Sequence, residues 1–501
     1  MNLSHKLFGQ TRRRSSYAAL LFLFASTFNA SAQMQLGADI KGEGEGDLAG
    51  WSVALSASGD TVAVGSPLHS SGFILSGRAR VFVWDGAAWM PLGQGIDGSS
   101  AVEEFGRAVA LSADGRRLAV GAPYSNANSQ RAGEIRVYEL TPGTDDVPDW
   151  ELLGTSIEGD TIDGELGFAL SISADGNRLA AGAPGTPGGY ARVYEWDGTA
   201  WPQIGSDIVR SELGTNARSV TLSADGNRLL VDGTFPPRVF DWDGSDWDLI
   251  SASLKGSNVV SRTTLSGDGN HLLLAILVPT GEEFEAFLRT FVWDGTAWNA
   301  RGDNFSIGIG GSITSVDVTD LALSADGNRC VVGTDGALFP NGAVSVYDWN
   351  GTMWQQQGDQ IVGEETDDNA GYAVALSDGG LRLAVGTPYA NDPNTPNDTI
   401  EEAGNARVFE LTMPSSAYSE ATAAWQLYPN PTRDHLRLTC RGVPRVDVRV
   451  HDVMGRLRQQ TTLVLVGGHA TYDVRALPAG VYCVTVGEGR ARRTWRLVKE
   501  Q

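Results

Sequence analysis

The chain runs to 501 residues with 62 glycines, only three cysteines and a formal net charge of −22. That length is too great for one ordinary hydrophobic core, unless the core is divided among repeated units that bury their faces against one another. Three cysteines make no disulfide framework, and so acidic a body repels phosphates, so no nucleic-acid partner is expected.

Residues 1–32 read as a signal peptide. Arg12, Arg13 and Arg14 precede the apolar run from Tyr17 to Phe28, and Ala30-Ser31-Ala32 offers a small-residue cleavage site. No later stretch approaches the roughly 18 unbroken apolar residues of a spanning helix, so no transmembrane segment is expected in the mature chain. Residues 33–424 hold 21 basic and 54 acidic residues, near −33, whereas residues 425–501 hold 13 basic and 6 acidic, near +7. That change of sign marks a domain boundary.

Between residues 33 and 412 one unit recurs seven times. Its tightest marker is an apolar residue followed by S-A-D-G or a near relative, at Leu55, Leu111, Ile172, Leu222, Leu265, Leu323 and Leu376. A short apolar run such as Val109-Ala110-Leu111 predicts an innermost strand, the Asp-Gly turn reverses it, and Leu118-Ala119-Val120 returns as a second strand. After a variable loop, V-Y/F-x-W predicts a third strand; a second Asp-Gly or Asn-Gly turn, with Trp at 89, 201, 247, 298 or 354, leads into a fourth near L-G-x-x-I. Seven four-stranded units predict an all-β fold, a seven-bladed β-propeller. Gln35 to Ile40 reads as a fourth strand lacking its first three, and the last unit stops after its third, Val408 to Leu411. One blade shared between the two ends would close the ring.

These residues resemble the FG-GAP family, the propeller repeat of integrin α-subunits and many bacterial surface proteins. Phe105-Gly106 with Gly121-Ala122-Pro123 carries the namesake residues, and units one, three and seven carry close variants. The D-x-D-x-D-G calcium hairpin of many members is absent, because the equivalent turn here has a single carboxylate; no calcium is expected at that turn.

Residues 413–424 read as a Ser/Ala-rich linker. Beyond them, strands predicted at Leu436 to Leu438, Val446 to Val450, Thr471 to Val474, Val481 to Val486 and Thr494 to Val498 make a small β-sandwich. Tyr428-Pro429-Asn430-Pro431, the Gly455-Arg456 pair, Pro478 with Gly480 and Tyr482, and the closing Arg496 to Lys499 are similar, in order and spacing, to the C-terminal sorting domain of the Bacteroidota type IX secretion system. That resemblance implies passage through the periplasm, engagement of the secretion machinery, and display on the outer-membrane surface or release. Cys440 and Cys483 would pair if their strands are neighbours; Cys330 reads as a small buried side chain.

Function is sought where the units differ. The Asp-Gly turns are uniform, whereas the loops on the opposite face vary, which points recognition to that face. Units seven, one, two and three keep Gly371, Gly50, Gly106 and Gly167 at the entrance of strand 1, together with a G-x-P ending of strand 2; units four to six lose both. The entrance loops of those four carry Glu364, Glu365, Asp367 and Asp368; Glu43, Glu45 and Asp47; Glu103 and Glu104; and Glu158, Asp160, Asp163 and Glu165. These predict an acidic crescent, whose oxygens suit Ca²⁺ or a basic partner if they converge, and a solvated rim if they do not. The repeated tryptophans would serve as sugar platforms if exposed and as blade packing if buried. His69 and His271 lie in no metal-ligand spacing, and no G-x-S-x-G, H-E-x-x-H or phosphate-binding loop occurs. The expectation is a secreted, non-catalytic binding or adhesion module for a protein or glycan, without a cofactor. The alternative is a glycosidase or lyase with carboxylates in the central channel, which paired acids on inner-strand ends beside exposed aromatics would favour.

Overall fold

The computed structural model describes residues 33–143, 148–185, 189–209, 217–232, 237–251, 259–279, 284–307, 318–334, 341–391, 401–412, 426–428, 435–439, 445–452, 456–464, 469–486 and 493–499. The leader and the Ser/Ala-rich linker lie outside them.

Seven antiparallel sheets follow one another along the chain to residue 411. Blade 3 shows the plan: strand 1 is Ala169–Ile172, strand 2 Arg178–Ala183, strand 3 Tyr190–Glu195 and strand 4 Gln203–Val209. Each strand 1 lies beside strand 1 of the next blade, from Ser52–Leu55 of blade 1 around to Ala373–Leu376 of blade 7 and back, so these strands line the channel. Blade 7 takes its outer strand from the start of the chain. Gln33–Gln35 pairs with Asn405–Leu411 through Gln33 opposite Leu411, and Ile40–Lys41 pairs with the same strand. The ring is closed as the interrupted repeat anticipated.

Strand 2 is covered on both faces by neighbouring blades, which explains its run of small apolar residues: every residue of Thr61–Ser66 is buried. Two devices join blade to blade. On the turn face, the amide of each S-A-D-G-type turn donates to a carbonyl of the next. The chain of bonds runs Ala57 to Ala113, Ala174, Ala224 and Gly267, then from Asp268 to Ala325, Asp378 and back to Ala57. The Asp that names the turn is engaged within it; Asp114 accepts from Ser112 Oγ at 2.7 Å and from the Arg116 amide at 3.0 Å. At the rim, paired tryptophans such as Trp196 and Trp201 lie with ring centres 5.3 Å apart, and Trp201 Nε1 donates to the Leu153 carbonyl of the preceding blade at 3.1 Å. Trp201, Trp247, Trp298 and Trp354 are buried, so these residues pack blades together and offer no sugar platform.

A third junction explains the glycine pattern. A Cβ on Gly121 in strand 2 of blade 2 would stand 2.0 Å from the carbonyl oxygen of Gly167, the entrance glycine of blade 3. The same contact recurs between Gly65 and Gly106, Gly333 and Gly371, and Gly386 and Gly50. The two glycines of the repeat are thus halves of one contact between successive blades. In blade 4 the matching place on strand 2 is Asp232 and in blade 5 it is Ala275, as the pairings Ser219–Asp232 and Arg262–Ala275 show beside Ala108–Gly121.

The C-terminal segment forms two sheets: Gln426–Tyr428, His435–Thr439 and His469–Asp473 in one, and Leu457–Val464, Arg445–Asp452, Gly480–Val486 and Arg493–Lys499 in the other. Leu436, Leu438 and Tyr472 from the first meet Val448, Val450, Val484 and Leu497 from the second in one core, the expected sandwich. Leu457–Val464 is an edge strand that the sequence did not announce, its LRQQTTLV being largely polar. Cys483 is exposed and unbridged, and its strand lies in the other sheet from His435–Thr439, the strand leading to Cys440. Cys440 itself lies outside the described residues. Cys330 is buried, and burial pushes its thiol well up.

Candidate functional site

The four acidic entrance loops share one backbone shape. Two non-adjacent positions ahead of the entrance glycine take left-handed angles, at Val102 and Glu104, Asp163 and Glu165, Asp367 and Asn369, and Gly46 and Leu48. Between them a buried acid staples three of the loops. Asp47 accepts the amides of Glu43 and Gly44 at 3.0 and 2.7 Å and lies 2.9 Å from His69 Nδ1. Glu103 takes Ser100 Oγ at 2.7 Å and faces Arg136, while Asp368 accepts the Glu365 amide at 2.8 Å and burial raises its carboxyl.

Half of the other acids turn to arginines. Glu43 pairs with Arg78 and Arg80, Glu104 with Arg107, Asp160 with Arg192, Glu165 with Arg131, and Glu364 with Arg407. Glu45, Glu158, Asp163, Glu365 and Asp367 are exposed. Among the described residues no three His, Cys, Asp or Glu side chains gather to hold a metal ion. The crescent is contiguous, yet many of its carboxylates are engaged by loop amides, by Arg107 and Arg131 in the loops and by arginines of strand 3, which a count of acids alone overlooks.

A different set converges at the mouth of the channel, on the face away from the S-A-D-G turns. The residue following the entrance position is Trp51, Arg107, Phe168, Arg218 and Tyr372 in blades 1, 2, 3, 4 and 7. They line a cavity of about 360 Å³. Arg107 is held between aromatic faces, its guanidinium 5.0 Å from the Trp51 ring centre and 4.8 Å from that of Phe168; Arg218 lies 5.6 Å from Phe168. Trp51 and Tyr372 lie 4.5 Å apart. Such contacts fix the cations and leave ring faces along the wall.

Blades 5 and 6 complete the wall differently. Their first strands, Val259–Leu265 and Val318–Leu323, each carry a bulge, between Val260 and Arg262 and between Val318 and Asp320, that the first strands of the other blades lack. A bulge re-aims the residue beside it. It delivers Arg262 and Asp320 to the positions held elsewhere by Ser52, Ala108, Ala169, Ser219 and Ala373. Arg262 Nε donates to the Thr319 carbonyl at 2.8 Å. Asp320 accepts the Val374 and Leu321 amides at 2.8 and 2.9 Å, and burial raises its carboxyl to about 6 against the pull of those bonds and of Arg262. Asp232, at the lost glycine of blade 4, lines the same cavity. The mouth therefore carries two carboxylates beside aromatic rings, Asp320 on an inner first strand and Asp232 at the end of a second strand.

Sequence reasoning noted the aromatic after the glycine only as part of the repeat. Reading that single column across the units gives Trp, Arg, Phe, Arg and Tyr, which was the available signal; the two bulges had none.

Of the tail markers, Tyr428 ends the strand Gln426–Tyr428, Tyr482 donates its hydroxyl to the Pro478 carbonyl at 2.8 Å beside Gly480, and Arg456 is exposed. Pro429, Asn430, Pro431 and Gly455 lie outside the described residues. Residues 426–500 match the family described as the secretion system C-terminal sorting domain. No curated protein matches the chain. Among solved structures, the β-propeller domain of Myceliophteria thermophila Cps50 (Swd1) is similar at 11% identity and a TM-score of 0.47, over 75% of this chain and 99% of that one. Kuenenia stuttgartiensis hydrazine synthase is similar at 13% and 0.46, over 70% and 94%, and the WD40 repeats of RRP9 at 11% and 0.47, over 76% and 99%. Likenesses this distant carry no functional argument. What the comparisons establish is the tail: residues 426–500 are a sorting domain, which marks the chain for export.

Proposed function

We propose that the protein is an exported propeller, displayed on the outer-membrane surface or released, that binds a ligand at the mouth of its channel without catalysis. The observation carrying this reading is the mouth itself, where three aromatic rings and three arginines from six blades converge on one cavity. A concave pocket in which polar groups converge beside aromatic rings is a usual place for a ligand to bind. The paired glycines between blades support placing the repeats with the FG-GAP type, and the tail engages the type IX machinery. Removal of residues 425–501 should abolish surface display; undiminished display would sink the sorting role.

One observation favours the second reading, a glycosidase or lyase: Asp320, with its carboxyl raised to about 6, shares the cavity with Asp232. A binding and turnover screen on the full chain separates the two. The binding module retains its ligand unchanged, whereas an enzyme releases products and loses turnover in Asp320→Asn.

A further inference from the structure

The cavity mixes three kinds of group that are seldom combined. Trp51, Phe168 and Tyr372 give flat apolar walls, Arg107, Arg218 and Arg262 give cations, and Asp232 and Asp320 give carboxylates. Arg107 is paired with Glu104, so Arg218 and Arg262 face Asp232 and Asp320 in a charge-balanced mouth, within a region whose net charge is near −33. A small anion alone would make no use of the rings. A neutral sugar would use the rings and carboxylates but offer no charge to Arg218 or Arg262. An acidic peptide such as polyglutamate has no hydroxyls to donate to Asp232 and Asp320 and no pyranose face for the rings.

We infer that the mouth takes an acidic sugar, a hexuronate residue of a polysaccharide, which rests on the binding reading above. The C–H face of a pyranose stacks on an aromatic wall, its carboxylate meets the guanidinium fork of Arg218 or Arg262, and its hydroxyls donate to Asp232 and Asp320. The bulges of blades 5 and 6 strengthen the inference. They place one cation and one hydroxyl acceptor, Arg262 and Asp320, on adjacent first strands. A volume of about 360 Å³ lies at the small end of ligand cavities, roughly 300–1,000 Å³, and suits a short stretch of a chain.

The test is calorimetry with the full chain, using tetragalacturonate, cellotetraose and tetraglutamate, each followed by NMR for cleavage products. Tetragalacturonate should bind, with cellotetraose and tetraglutamate each at least about tenfold weaker, and the double variant Arg218→Ala/Arg262→Ala should lose about tenfold or more for tetragalacturonate at an unchanged Tm. Equal binding of cellotetraose overturns the acidic-sugar assignment and leaves the binding reading standing. Equal binding of tetraglutamate, full affinity in the folded double variant, or no heat with tetragalacturonate up to about 10 mM also overturns the assignment. Cleavage products with tetragalacturonate support the ligand class and overturn the non-catalytic reading instead.

Discussion

Blades 6, 7, 1, 2 and 3 differ from blades 4 and 5 in how closely each meets the next. On the first side, strand 2 brings a glycine against an entrance glycine or alanine, so backbone rests on backbone; Gly182 meets the Ala217 carbonyl as blade 3 passes to blade 4. In blades 4 and 5 Asp232 and Ala275 stand where those glycines were, and the first strands of blades 5 and 6 bulge, so that charged side chains reach the channel. The lesson is that one ring can devote part of its circumference to closure and use the rest for chemistry. The same repeat supports both because the S-A-D-G turns hold all seven blades in step on the other face.

The largest effect that would sharpen this contrast lies where blade 6 meets blade 7. Arg329 and Asp348 are fully buried, joined by bonds of 2.6 and 2.8 Å, and Arg329 also reaches the Gly380 carbonyl of the next blade. Asp348→Ala strands a buried cation and should cost about 4 kcal/mol in urea unfolding. The matching Glu195→Ala in blade 3, whose carboxylate is 41% exposed, should cost less than about 1 kcal/mol. Equal costs would show that burial is not what separates these junctions.

Next comes the glycine contact. Gly121→Ala forces the backbone of two blades apart and should lower stability by about 3 kcal/mol, read as a fall in Tm. Blade 5 already carries alanine at that place, so Ala275→Gly should cost only about 1 kcal/mol. A neutral Gly121→Ala would break the distinction between the two sides.

The smallest effect has the opposite sign. Burial raises the Asp320 carboxyl to about 6, above its value in the unfolded chain, so the folded state holds the proton more tightly. Ionising it at neutral pH therefore costs stability, and that cost fades as pH falls from above 6 to about 4. Asp320→Asn should stabilise the protein by about 2 kcal/mol at pH 7.5 and by almost nothing at pH 4. A pH-independent effect would remove the buried carboxylate from the account.

The architecture was legible because it is written seven times. A single S-A-D-G turn says little, whereas seven in register, with Gln35 to Ile40 left over at one end, specify both the blade and its closure. The tail was legible because Pro478, Gly480 and Tyr482 fall in a fixed order beside a strand. The site was not. Acids such as Glu43 and Glu165 draw the eye in the loops, but their partners Arg78 and Arg131 lie 35 and 34 residues away in sequence, and pairing across strands leaves no local mark. Arg262 and Asp320 owe their place to bulges, and a bulge is a one-residue slip that composition and alternation conceal.

The strand Gln33–Gln35, zipped to Asn405–Leu411, also has a kinetic meaning. Its two halves are the most distant parts of the propeller in sequence, so the contact that seals the ring demands the longest loop closure in the molecule. Six blades can form from local hairpins while the seventh waits for its outer edge, and that edge stays open to other strands until the first residues return.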